Sequence, residues 1–334
     1  MTRHAKLSSP GPAGDVIGGE LLPYHIALPI LGVPIVFHTN APDVLVAVRG
    51  AFGAWAAHAP PDLLTEWTGR VQLMVFEKTE PRAKHPSFEY HIDEHQGRLT
   101  VRAGKSVGHA DSRLGRATAR VTRTLALDTA NFQYGMIQAL TLFVITGRDR
   151  YPLHAATLVA DDTIVLLMGD SGAGKSTLAF ALHQSGMAML SEDVAYLSLL
   201  PAPRVWASPG PLHLMADAAR HFPVLRDAPA RLRANGKEKV GVSPRPADPW
   251  RAPQAQRVIV CLLARTSGEA GWAPAAPDDL TRHLASAPEG FNRFLNQLPG
   301  VARQLARFPT VRIALSNDPH QGARAVLEAV RSVP

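Results

Sequence analysis

The sequence predicts an α/β protein: a domain built on a mixed sheet, preceded by a smaller α+β domain. An apolar stretch at 165–168 runs into a glycine-rich loop and then into a helical stretch. A second apolar stretch at 153–160 precedes it, and Asp161-Asp162 between the two is typical of a tight β-hairpin. In doubly wound folds the strand before such a loop usually follows a crossover or begins the domain, so a hairpin here favours a mixed sheet.

Composition allows two globular domains and narrows the classes of partner. The chain has 334 residues, of which 46% are hydrophobic, and domains of about 150 residues are common. A net charge of +7 could favour an acidic partner, but an arginine-rich surface explains it more simply, and nucleic acid is not expected. No stretch reaches the roughly 18 consecutive apolar residues of a membrane span, so no membrane partner is expected.

The chain divides into three segments. Residues 1–19 are polar and rich in Pro and Gly, without the apolar core of a secretory signal, and we expect a disordered leader there. Residues 20–147 are expected to form the N-terminal α+β domain, which is large enough to fold alone and is predicted to select the substrate. Residues 148–334 contain every phosphate-related motif. The single cysteine, Cys261, lies in an apolar run; it rules out an internal disulfide and fits a cytoplasmic protein.

Local patterns predict the elements of the first domain. Apolar periodicity favours a helix over 44–57, and two alternating segments around Gly97 favour a hairpin over 88–102. A helical stretch is expected over 111–146. Four arginines in it, spaced 3, 4 and 3 residues apart, would share one helix face: Arg113, Arg116, Arg120 and Arg123. That face is either solvated or a docking surface for an acidic peptide.

The second domain is predicted to continue after the hairpin as alternating helices and strands. A helix is expected over 176–185, ended by Gly186. A strand that carries two acids is expected over 187–197. The remaining predictions are a proline-rich loop over 243–254, strands over 258–264 and 311–316, and a closing helix over 322–333.

The glycine-rich loop fits the pattern G-x-x-x-x-G-K-[ST]. Its glycines let backbone N–H groups wrap phosphate oxygens, and the helix that follows adds the positive end of its dipole. Lys175 can reach the β- and γ-phosphates, and the Ser176 hydroxyl can bind Mg²⁺. We therefore expect ATP and Mg²⁺ as cofactors. The expected nucleotide contacts are Gly169, Asp170, Ser171, Gly172, Ala173, Gly174, Lys175, Ser176 and Thr177.

Transfer of a phosphoryl group needs further residues, and two acids and a histidine are candidates. Glu192 and Asp193 follow an apolar stretch, where carboxylates could lie beside a metal at the loop or simply on a surface turn. Adjacent side chains on a strand point to opposite sides, so only one of the two would face the γ-phosphate. A lone histidine in an apolar strand, such as His154, is usually structural, although the hairpin could bring it near the loop.

Three blocks, Leu153-HAATLV, Gly169-DSGAGKS and Gly186-MAMLSED, together resemble the catalytic domain of HPr kinase/phosphorylase. The resemblance implies an HPr-kinase/PEP-carboxykinase-like fold for the second domain. It also implies roles: Asp193 as the proton acceptor, His154 as a site residue, and Lys175 as the phosphate lysine. Magnesium-linked groups by the same resemblance are Ser176, Glu192 and, more weakly, Asp217.

The chain departs from that family in ways that bear on its substrate. Thr177 stands where the HPr enzymes usually carry an acid, Ser185-Gly186-Met187 replaces R-G-H, and an E-[IV]-R-G-x-G segment is missing. HPr is therefore not the expected acceptor. Pro211-LHLMADAARHF and Asn235-GKEKVGV look more like stand-alone HPr-kinase-like proteins, some of which phosphorylate serine on ribosomally made peptides such as lasso precursors. Lys237 and Lys239 either reach phosphates or an acidic substrate, or lie on a charged hairpin turn.

The leading hypothesis is an ATP-dependent kinase that transfers the γ-phosphoryl group to a Ser or Thr hydroxyl of a peptide or protein. A small-molecule kinase on the same scaffold and a non-catalytic ATP-binding regulatory protein remain as alternatives. An ABC-type ATPase would need an L-S-G-G-Q-like segment, which the sequence lacks. A homo-oligomer is left open.

Overall fold

The computed structural model describes most of the chain and separates it into two compact units. The described residues are 15–17, 19–56, 64–76, 87–93, 95–198, 204–207, 211–232, 238–242, 257–286 and 298–333. The boundary between the units lies between Arg150 and Tyr151. The proline-rich segment 243–254 and Lys237 lie outside the described residues.

The described residues of the N-terminal unit form a seven-stranded mixed sheet. Its strands are β3 (Tyr24–Ile30), β4 (Val33–Thr39), β5 (Gly69–Phe76), β6 (Glu89–Asp93), β7 (Arg98–Ala103), β8 (Ser106–Asp111) and β9 (Arg116–Thr122), in the order β3-β4-β5-β9-β8-β7-β6. The pairs β4–β5 and β5–β9 are parallel, and the others are antiparallel. The antiparallel pair β6–β7 confirms the hairpin predicted over 88–102.

A short hairpin precedes this sheet: β1 (Asp15–Ile17) pairs with β2 (Glu20–Leu22). Because β1 lies inside the segment 1–19, the leader prediction is wrong for residues 15–17. Their backbone groups pair with those of the neighbouring strand. Residues 1–14 and 18 lie outside the described residues.

Helices pack on the sheet of the N-terminal unit. They are α1 (Pro42–Ala56), α2 (Arg123–Leu127), α3 (Thr129–Asn131), a π-helical stretch (Phe132–Gln138) and α4 (Ala139–Thr146). Helix α1 confirms the prediction over 44–57. The chain approaches closely at Gly108 of β8, where a Cβ would lie 2.7 Å from the Met136 sulfur and 2.8 Å from Leu140 Cδ1. Only glycine lets the helices come this near the strand.

The helix predicted over 111–146 is wrong for its first part, because 116–122 form β9. Its buried side chains Ala117, Ala119 and Val121 alternate with outward ones, a period of two rather than 3.6. Arg116 and Arg120 share a face in either structure, since a spacing of four is also even. Arg113 and Arg123 lie outside the strand. The shared arginine face, and with it the acidic-peptide docking surface, is therefore not formed.

The described part of the C-terminal unit holds an eight-stranded mixed sheet. The strands are β10 (Tyr151–Ala160), β11 (Thr163–Met168), β12 (Ala188–Ser191), β13 (Val194–Ser198), β14 (Arg204–Ala207), β18 (Arg257–Arg265), β19 (Gly271–Pro274) and β20 (Thr310–Leu315). Their order is β14-β13-β10-β11-β18-β20-β19, with β12 paired to β10. Strand β11 is antiparallel to β10 and parallel to β18, and β18 is parallel to β20. The predicted mixed sheet and its hairpin are confirmed.

Helices cover both faces of this sheet. On one face, α5 (Lys175–Gln184) and α8 (Pro319–Ser332) pack in a core with Val165 and Leu167 of β11. On the other, α6 (Pro277–Ser286) and α7 (Leu298–Leu305) pack with Ile164, Leu166 and Met168. Alternate residues of one strand therefore contribute to two cores, which explains why β11 is apolar from Ile164 to Met168.

A small sheet lies against α5. Its strands are β15 (Leu212–Met215), β16 (Ala230–Leu232) and β17 (Glu238–Val242), in the order β15-β17-β16. Leu212 and Leu214 join the core that contains Leu178 of α5. This packing holds β15 beside the helix that follows the glycine-rich loop. No helix among the described residues is long and apolar enough to cross a membrane.

Candidate phosphate-binding site

The glycine-rich loop connects β11 to α5 through a backbone that requires glycine. Gly172 has φ +87° and Gly174 has φ +103°, both in the left-handed region that other L-residues rarely adopt. The Ala173 N–H donates to the Asp170 carbonyl at 3.0 Å, which closes a turn before the helix begins at Lys175. The loop thus delivers the N-terminus of α5, with its free N–H groups, to the carboxyl end of β11.

Lys175 folds back onto the loop. Its ammonium donates to the carbonyls of Gly169 at 2.5 Å and Asp170 at 3.2 Å, and only 7% of the residue is exposed. A buried ammonium held by neutral carbonyls can exchange these bonds for stronger, charge-assisted bonds to a phosphate. The positive charge of Lys175 therefore lies at the glycine-rich loop itself.

A pocket of about 390 Å³ opens beside the loop. Of the residues predicted from the sequence, it is lined by His154, Ser171, Gly172, Gly174, Lys175, Ser176, Thr177, Asp193 and Asp217. The lining does not include Gly169, Asp170, Ala173 or Glu192. The predicted catalytic residues and most of the predicted loop contacts therefore meet around one cavity.

His154 and Asp193 approach each other across β10 and β13. The strand register places His154 opposite Val194, the residue after Asp193. The His154 Nδ1 lies 3.4 Å from Asp193 Oδ1, and the Asp193 side chain is 61% exposed. The result is a carboxylate open to the cavity with an imidazole beside it.

Glu192 has a different partner. Its Oε1 accepts the His213 backbone N–H at 2.7 Å, and its Oε2 lies 2.6 Å from the His213 ring Nδ1. The two acids sit in the break between β12 and β13 rather than within one strand, which corrects the single strand predicted over 187–197. They nevertheless contact two different histidines, Asp193 with His154 and Glu192 with His213.

Positive charge dominates the cavity. Among its described lining residues, permanent cations are Lys175, Arg220, Lys239 and Arg265. Asp217 lies 3.7 Å from Arg220, and both are well exposed, so this pair is worth little in stability. The surplus of cations over Asp193 and Asp217 favours an anionic ligand.

Two histidines near the loop have shifted acid–base behaviour. Burial lowers the pKa of His283, and the nearby Lys175 ammonium acts in the same direction, whereas Asp170, whose Oδ1 lies 4.0 Å from the His283 Nδ1, opposes the shift. Burial also lowers the pKa of His221, with Arg220 contributing in the same sense. Both rings tend towards the neutral form in the protein.

The residues present fit a magnesium ion. Mg²⁺ usually takes one or two protein carboxylates and keeps water and phosphate oxygens as its other ligands. The Ser176 hydroxyl and the carboxylates of Asp193 and Asp217 line the same cavity. Glu192, predicted as a magnesium-linked acid, instead has both carboxylate oxygens engaged by His213.

Several residues at or near the cavity were not predicted from the sequence. His213 and Arg220 lie in Pro211-LHLMADAARHF, a segment singled out without these two side chains. Arg265 ends β18, which runs parallel to β11. Because parallel strands end at the same edge of a sheet, the polar residue at the end of this apolar strand could have been predicted to lie near the loop. For His283, on α6, the sequence offers no such signal.

Among solved structures, the chain is similar to the Hpr(Ser) kinase/phosphatase from Coxiella burnetii, with 16% sequence identity and a TM-score of 0.26. The match covers 54% of this chain and 96% of that chain. No protein-family model and no curated protein sequence matches the chain. A superposition this loose carries no weight, and a function must be argued from the residues of the cavity.

Proposed function

We propose that this chain is an ATP-dependent kinase that transfers the γ-phosphoryl group to a Ser or Thr hydroxyl of a peptide or protein. One observation carries the proposal: the glycine-rich loop, the buried Lys175 ammonium and the His154–Asp193 pair all line a single cationic cavity. A binding protein needs only the first two. A transferase also needs a carboxylate next to the phosphates, and Asp193 supplies it.

ATP binding rests on the loop and the helix. Backbone N–H groups of the loop and of the N-terminus of α5 donate hydrogen bonds to phosphate oxygens, and Lys175 neutralises charge on the β- and γ-phosphates. Ser176 and Asp217 would hold Mg²⁺, which would supply further charge neutralisation. Arg220, Lys239 and Arg265 add positive charge around the cavity.

Transfer then requires a base. Asp193 accepts the proton of the acceptor hydroxyl as its oxygen bonds to the γ-phosphorus, while the bond from that phosphorus to the β,γ-bridging oxygen breaks and ADP leaves. His154, 3.4 Å from the Asp193 carboxylate, orients that carboxylate. The exposure of Asp193 supports an acceptor that arrives from solvent, as a peptide side chain does.

The proposal is tested by incubating the full chain with ATP, Mg²⁺ and a library of serine-containing peptides, and by measuring phosphate incorporation by mass spectrometry. Lys175→Ala is the matched inactive variant, because it removes the ammonium from the loop. We expect phosphopeptides with the wild type and none with Lys175→Ala. Phosphate found only on small hydroxyl compounds would redirect the proposal to a small-molecule kinase, and binding of ATP without transfer would favour a regulatory protein.

A further inference from the structure

We propose that Glu192 acts through His213: its carboxylate holds the imidazole so that the ring's Nε2 contacts the phosphate groups of the bound nucleotide. The inference rests on the proposed function for its ligand. It adds His213 as a phosphate-binding residue and makes Glu192 a positioning residue rather than a magnesium ligand.

The first observation is a contact at two points. Each oxygen of the Glu192 carboxylate meets a different nitrogen of His213, the backbone N–H at 2.7 Å and the ring Nδ1 at 2.6 Å. Both side chains are largely buried, with 16% and 18% exposed. A carboxylate accepts hydrogen bonds only, so the Nδ1 carries a hydrogen and donates it to Glu192. The ring is thereby fixed in position and in tautomer, as a carboxylate fixes many functional histidines.

The second observation is the place of His213 in the small sheet. On β15 the apolar residues Leu212 and Leu214 join the core beside α5, whereas His213 lies between them in the alternation. Side chains alternate across a strand, so His213 faces away from that core. It lines the same cavity as Lys175 and Ser176. With Nδ1 held by Glu192, Nε2 is the ring nitrogen that meets a ligand there.

The chemistry of this pair suits a phosphate. A phosphate oxygen accepts a hydrogen bond from Nε2 when that nitrogen carries a hydrogen, and the Glu192 carboxylate then balances the charge of the ring from the far side. The cavity already carries Lys175 and Lys239 as cations, and His213 adds a directed donor to these point charges. Glu192 is absent from the cavity lining, which is expected of a group that acts through its neighbour.

The test separates this role from metal binding. Affinity for inorganic triphosphate is measured by calorimetry for the full chain, with Mg²⁺ and again with a chelator, for the wild type, Glu192→Ala, His213→Ala and the double variant. We expect each single variant to bind triphosphate roughly tenfold or more weakly, the loss of one hydrogen bond to a charged group. The loss is expected with and without Mg²⁺, and the double variant should lose little more than either single one.

If Glu192 acted only through its negative charge, Glu192→Ala would instead strengthen triphosphate binding, since it removes a carboxylate near a phosphate. Glu238→Ala is the control, because this exposed carboxylate lies in the same small sheet and away from the cavity lining; its affinity should stay unchanged. Nitrogen-15 NMR of the imidazole reports whether Nδ1 carries the hydrogen in the wild type and whether Glu192→Ala abolishes that signature.

Four outcomes overturn the inference. A loss at Glu192→Ala that appears only with Mg²⁺ makes Glu192 a metal ligand. Losses that add in the double variant would show that Glu192 and His213 act independently. Unchanged binding in both single variants, in a wild type that binds triphosphate, removes the role of His213 while leaving the proposed function intact. If the wild type binds neither triphosphate nor ATP, the nucleotide site itself is wrong, and the inference fails with it.

Discussion

Adjacent residues in this site have different environments, and environment decides what a carboxylate can do. Asp193 is mostly exposed to the cavity and has the His154 ring 3.4 Å away. Glu192 is largely buried, and both of its carboxylate oxygens contact His213. An acid that must accept a proton from an incoming hydroxyl needs access to it, so the geometry favours Asp193 as the base.

Asp193→Asn is therefore expected to slow transfer by roughly 10²–10⁴, the range of a general base. The amide keeps the shape of the side chain but cannot accept the proton, so ATP affinity should change little. The check is to measure turnover on an acceptor peptide that the wild type phosphorylates, together with ATP affinity by calorimetry. Equal losses in turnover and affinity would instead make Asp193 a binding or metal-holding residue.

Sequence reasoning could predict the part of the site that is local in the chain. The loop pattern places Lys175 and Ser176 because six neighbouring residues determine the turn and the helix start. His213 could not be found this way. Its position depends on the pairing of β15 with β17, in which His213 lies opposite Gly241, 28 residues further along the chain, and on a carboxylate 21 residues away. Neither pairing leaves a periodic signal.

At the scale of elements, helix α6 is tied to the sheet by Asp279. This residue, 5% exposed, accepts hydrogen bonds from Arg312 of β20 at 2.6 and 2.7 Å and from Arg282 at 2.8 Å. It also accepts the Ala276 N–H at 2.8 Å, before the first turn of the helix, as a capping residue does. The hydrogen bonds from Arg312 are the main cause that lowers the pKa of Asp279.

Asp279→Asn should destabilise the chain at neutral pH. A folded-state pKa below the unfolded one contributes stability above the unfolded value, about 3.9 for aspartate, and loses it as pH falls through the folded value. The gap in thermal midpoint between wild type and variant should thus be full at pH 7 and shrink below about pH 4. Asp278→Asn, exposed in the same helical turn, is the control and should match the wild type. A gap that is independent of pH would show that packing, not charge, accounts for the loss.

Strand β9 shows where element prediction fails. Arginines spaced by four residues satisfy a helix face, but Ala117, Ala119 and Val121 are buried with period two. Small residues such as alanine favour a helix in isolation, and pairing with β5 and β8 overrides that preference here. By contrast, the hairpin β10–β11 was predictable because its turn, with Asp161 at φ +52°, is local.

At the scale of the molecule, the cavity belongs to one unit. Every described residue that lines it, from His154 to Pro319, lies after the boundary between Arg150 and Tyr151. That unit has its own two cores, one on each face of its sheet. At more than 180 residues (Tyr151–Pro334) it lies within the usual size range of a domain that folds alone.

A fragment of residues 148–334 should therefore fold and bind ATP with nearly the affinity of the full chain. Transfer to the peptide acceptor should fall sharply in the same fragment, because we propose that the N-terminal unit selects the acceptor. Calorimetry with ATP and phosphopeptide mass spectrometry, run on the fragment and the full chain side by side, give the two readouts. Phosphorylation of the peptide by the fragment at the rate of the full chain would assign acceptor selection to the cationic cavity itself. In that case Arg220 and Lys239, which line it, become the next residues to substitute.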